Sequence, residues 1–123
     1  MHEEVLKNYD ETGRKRLKLY ESLAEELRSL EGVDNAELDD WAGGSAYHGY
    51  IFVFVDAESF RDRFGSYTFK INVNLRSLVP RMKKVLDESD ARGYTFFERP
   101  KTRWDSRGRD LYKDKTYMIR VSG

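Results

Sequence analysis

Between residues 3 and 31, apolar and small positions recur every three or four residues: Leu6, Tyr9, Gly13, Leu17, Tyr20, Leu23, Ala24, Leu27 and Leu30. That period places them on one face of an α-helix. Glu3 and Glu4 suit the positive end of such a helix, and Gly32 suits the position just past its last turn. Gly13 costs about 1 kcal/mol against Ala inside a helix. A short arm at 3–11 before a helix from Thr12 is the alternative.

The pattern then changes to a period of two. Ala36 and Leu38 alternate with Glu37 and Asp39, which predicts a half-buried strand over 33–41. Residues 42–45, Ala-Gly-Gly-Ser, read as a turn. Residues 47–55 hold the strongest strand signal. Its centre, Ile51 to Val55, is apolar at every position, so both faces are expected to be covered. Residues 56–64 predict only a short helical turn or a loop, with Phe60 and Phe64 four apart. From 67 to 75, Phe69, Ile71, Val73 and Leu75 alternate with Lys70, Asn72 and Asn74, the signature of a third strand. Ser77 reads as the cap of a second helix, with Pro80 in its first turn, where a missing N–H does no harm. Leu78, Met82, Val85 and Leu86 form its apolar stripe, and Arg92-Gly93 ends it. Strands at 94–98 and 115–121 complete the order α-β-β-β-α-β-β.

Short connections favour antiparallel neighbours. The expectation is one α+β domain over residues 1–123. It has a five-stranded, mostly antiparallel sheet with both helices on one face. Phe52, Phe54, Phe69, Ile71, Leu78, Met82, Phe96 and Ile119 are its expected core.

Composition narrows the class. The chain has 8 Tyr, 7 Phe and 2 Trp among 123 residues, too many aromatics for a disordered chain. It has no Cys, which excludes disulfides, thiolate zinc sites and a Cys nucleophile. With His2 and His48 the only histidines, a metal site would need carboxylates, a composition that suits Mg²⁺ or Mn²⁺ better than zinc; no cofactor and no metal site are expected. The acidic start lacks an apolar leader, and no apolar run approaches the roughly 20 residues of a membrane span. A cytoplasmic protein, with no membrane partner, is the expectation.

Lys plus Arg and Asp plus Glu balance at 22 each, so only the distribution of charge carries information. Residues 21–40 hold eight acids against the single Arg28. Residues 99–115 hold seven basic residues against three aspartates. The basic segment contains Arg99, Lys101, Arg103, Arg107, Arg109 and Lys113, with Trp104 and Tyr112 interleaved and a turn at Ser106-Arg107-Gly108. Arginine pairs with phosphate through two donors, and aromatic faces stack on bases. Lys84, with Arg81 and Lys83, extends the basic surface from the second helix. The plain counter-reading is a long exposed hairpin whose charges only keep its edges from pairing.

Asp39, Asp40, Asp56, Glu58 and Lys70 are the one set with catalytic character. An acid-x-Lys pair of the restriction-nuclease type is missing, because Thr68 stands two positions before Lys70. His48 has no evident nucleophile or acid partner. The sequence therefore points to a non-catalytic binding module whose hairpin at 99–115 contacts nucleic acid or an acidic protein surface. A homodimeric interaction protein is the alternative, and a metal-dependent nuclease a distant one.

Overall fold

A computed structural model describes residues 11–38, 48–61 and 63–122. Helix α1 is Glu11–Arg28, followed by strands β1 (Val33–Leu38), β2 (His48–Val55), β3 (Ala57–Arg61) and β4 (Tyr67–Ile71). Helix α2 is Leu75–Asp87, followed by β5 (Gly93–Phe97), β6 (Lys101–Trp104), β7 (Asp110–Tyr112) and β8 (Thr116–Ser122). The architecture is α+β, with two helices and two four-stranded antiparallel sheets. The expected single five-stranded sheet is therefore corrected to two sheets.

The first sheet runs β1-β2-β8-β5, and each half of the chain supplies a helix and then a strand pair, outer strand first. Both helices pack on one face of this sheet. Leu17, Tyr20, Leu23, Ala24 and Leu27 of α1 meet Leu78, Met82 and Leu86 of α2 over Ala36, Ile51, Val53, Val55, Ile119 and Val121, all of them buried. The stripe predicted for the first helix thus holds from Leu17 to Leu27; Leu30 lies past the helix end and is half-buried, and Leu6 and Tyr9 lie outside the described residues. Gly13 falls inside α1. Gly49 is required for the packing, because a Cβ there would stand 2.6 Å from the Tyr20 ring.

In β2 the inward residues are Ile51, Val53 and Val55, whereas Phe52 and Phe54 point to the opposite face and are only half-buried. A run that is apolar at every position cannot reveal by period which alternate set the helices will cover. Phe69, Ile71 and Phe96 are also half-buried, while Leu78, Met82 and Ile119 are fully buried as expected.

Helix α2 starts earlier than expected. Asn74, not Ser77, is the cap, and its side-chain oxygen accepts the Arg76 N–H at 3.1 Å. Pro80 consequently lies within the helix. There it leaves the Arg76 carbonyl without its usual donor. The third predicted strand ends at Ile71, and a strand, β3, occupies the stretch read as a turn or loop. Sequence periodicity in 57–61 is weak; what makes it a strand is its ladder with β4, from Ala57–Ile71 to Arg61–Tyr67.

The second sheet, β3-β4-β7-β6, grows from one end of the first. Val55, Thr116 and Phe97 all lie at that end, as the pairings Val33–Val55, Phe54–Thr116 and Phe97–Met118 require. From there β2 continues through Asp56 into β3, β5 into β6, and β7 into β8.

Candidate functional site

Residues 101–112 form the hairpin β6–β7, at one edge of the second sheet. Its tip is organised by Asp105. Asp105 Oδ1 accepts the N–H groups of Arg107 and Arg109, each at 2.9 Å. Its Oδ2 takes the Arg109 Nε–H at 2.8 Å, and the Gly108 N–H reaches the Asp105 carbonyl at 3.0 Å. The hydrogen bond from the Arg109 backbone does most to hold the Asp105 carboxyl down at about 2. Gly108 has φ 78°, a left-handed conformation that Gly adopts without strain. Asp first and Gly fourth in the turn was the available signal.

The candidate residues separate into distinct places. Lys101, Arg109 and Tyr112 line a cleft of about 500 Å³ with Lys70, Arg76 and Asp110, beside the N-terminus of α2. Lys101 Nζ lies 2.9 Å from Asp110 Oδ2, a hydrogen bond that raises the lysine's pKa. Arg103 and Trp104 line a second cleft, of about 330 Å³, with Phe60, Arg61, Thr68 and Leu111. Trp104 is 65 % exposed. Arg61 and Tyr67 extend this aromatic and basic surface: Arg61 lies 5.1 Å over the Tyr67 ring and donates to its hydroxyl at 3.1 Å. Arg107 is exposed, 4.0 Å from Asp105, and Lys113 is exposed with its backbone N–H on the Pro100 carbonyl.

Arg99 is not on this surface. It is 8 % exposed, and its guanidinium carbon sits 4.3 Å from the Tyr112 ring centre and 4.8 Å from that of Tyr117. Among the described residues none of its three guanidinium nitrogens has a hydrogen-bond partner. Burial lowers its pKa, against the opposing pull of Tyr117, Tyr112 and Asp114. An unpaired buried charge costs several kcal/mol, against about 0.5–2 kcal/mol returned by each ring.

Lys84 does not join the hairpin's clefts. It pairs with Glu88 at 4.0 Å, and it stands about 12 Å along the α2 axis from Arg76 at 1.5 Å per residue. Glu58 and Lys70, from the catalytic set, face each other across β3–β4 at 3.9 Å, an ordinary cross-strand pair. Asp39 and Asp40 lie outside the described residues. Arg61, Lys70 and Arg76 were missed as partners of the hairpin because they join it only through the long-range pairing of β4 with β7.

No protein-family model, no curated protein and no solved structure matches the chain. Fold and site define a class: an α+β chain whose helix-covered sheet carries a smaller sheet rich in exposed basic and aromatic residues. Among the described residues no helix is long and apolar enough to cross a membrane.

Proposed function

We propose that the chain is a non-catalytic module that binds nucleic acid through the second sheet, with bases stacking on Trp104 and phosphates meeting Arg103 and Arg61. The observation that carries this reading is the exposure of Trp104 beside Arg103, in a cleft whose walls also hold Phe60 and Arg61. A large exposed ring flanked by guanidinium groups is the arrangement that holds an unpaired strand without reading its sequence. Labelled single-stranded DNA and RNA, followed by fluorescence anisotropy over a range of salt, test it. Trp104→Ala is expected to weaken binding by about 1–3 kcal/mol. Arg103→Ala is expected to reduce the salt slope by about one phosphate contact. No binding at low salt would refute the reading.

A second reading, self-association, is favoured by a different observation. Phe52, Met118 and Phe97 share the face of the first sheet opposite the helices, where Phe97 is exposed. Sedimentation at increasing concentration tests it: a shift towards a dimer supports it, and a constant monomer at high micromolar concentration removes it.

A further inference from the structure

The larger cleft shares no lining residue with the Trp104 cleft. We propose that it is a separate seat for the phosphate groups of a nucleotide-sized ligand. Its volume, about 500 Å³, falls within the usual range of small-molecule sites. Its walls hold Lys70, Arg76, Lys101 and Arg109 against the single acid Asp110.

Three further features favour an anion there. Helix α2 opens on the cleft with Asn74, Leu75 and Arg76; Asn74 takes the Arg76 N–H, but no acid in the first turn offsets the positive end of the helix. Arg109 is anchored through Nε to Asp105, while its Nη2 is buried with no hydrogen-bond partner among the described residues. A guanidinium fixed on one side with a donor left over is prepared to take a phosphate oxygen. Finally, Tyr112 and Tyr117 both line the cleft, and against these rings lies the buried charge of Arg99. That charge is shielded from water and adds to the positive potential of the wall. Three of the four cations already face an acid, Lys101 with Asp110, Arg109 with Asp105 and Lys70 with Glu58; of these acids only Asp110 lines the cleft, and an entering phosphate would compete with it for the Lys101 ammonium.

The phosphate could belong to a free nucleotide or to a nucleic-acid strand. Calorimetry of the full chain at low salt, with pyrophosphate, ATP and a 5′-phosphorylated single-stranded oligonucleotide as probes, separates these. Pyrophosphate and ATP are expected to bind. The double variant Arg76→Ala/Lys101→Ala should weaken both by about tenfold or more, since two charged donors are lost. Asp110→Asn should tighten both by about threefold, because the opposing charge is gone; a gain in affinity cannot come from misfolding. ATP that binds more tightly than pyrophosphate and resists displacement by the oligonucleotide identifies a free nucleotide. Displacement of pyrophosphate by the oligonucleotide identifies a strand phosphate. Trp104→Ala should leave pyrophosphate binding unchanged, so failure of the stacking surface and failure of this seat are distinguishable. Absence of heat with pyrophosphate and ATP, or affinities that neither the double variant nor Asp110→Asn alters, would overturn the proposal.

Discussion

Ile51, Val53, Val55, Ile119 and Val121 of the first sheet lie sealed beneath two helices. In the strands of the second sheet only Leu111 and Thr68 are buried. What joins the second sheet is its backbone ladder, the Asp105 turn and rings stacked with cations. Apolar burial contributes roughly 25 cal/mol per Å², and a fully buried Leu or Val contributes about 1.5–3 kcal/mol. An exposed ion pair contributes about 0–1 kcal/mol. The first sheet therefore carries the stability of the fold. The second, with few side chains committed to a core, is free to present charge and aromatic surface.

The largest effect should come from removing core volume under the first sheet. Leu27→Ala should cost about 3 kcal/mol in a denaturant titration; a loss below 1 kcal/mol would erase the contrast. Gly49→Ala, which drives a Cβ into the Tyr20 ring, should cost about 2 kcal/mol. A local effect comes next. The Asp105 carboxyl lies lower in the folded chain, at about 2, than in an unfolded one. Its stabilisation is thus complete above its ordinary pKa of about 4 and is lost as pH falls towards the folded value. Amide resonances of 105–109 should show the turn opening in that window while those of the first sheet stay unmoved, and Asp105→Asn should abolish the transition. Smallest of all, Trp104→Ala and Arg103→Ala should change global stability by less than about 0.5 kcal/mol. A larger loss in thermal melts would make these side chains structural, contrary to the contrast between the sheets.

The first sheet was largely legible in the sequence. The helical stripe from Leu17 to Leu27 and the alternation of Ala36 and Leu38 in β1 carry their own periods, and the apolar run of β2 marks a strand covered on both faces. The orientation of β2 was not legible, because Phe52 and Phe54 are as apolar as Ile51, Val53 and Val55. The second sheet was legible only as a basic and aromatic hairpin. Strand β3 has no period of its own and exists through pairing with β4, and β4 reaches β7 across some forty residues of chain, as in the pair Lys70–Leu111. That pairing is also what brings Lys70 and Arg76 beside Lys101 and Arg109, so the larger cleft could not be read from spacing. Arg99 looked like one more surface cation, and nothing in its neighbours announced that Tyr112 and Tyr117 would enclose it.

The division between a sheet that holds the fold and a sheet that makes contact is tested most directly by hydrogen exchange, measured with and without a single-stranded oligonucleotide. Free, the amides of β2 and β8 should be protected to near the global unfolding free energy, and those of β6 and β7 should exchange through smaller openings. On binding, added protection should appear in 57–71 and 101–112 and leave the first sheet unchanged. Added protection confined to the helices or the first sheet, or equal protection of both sheets in the free chain, would contradict the account.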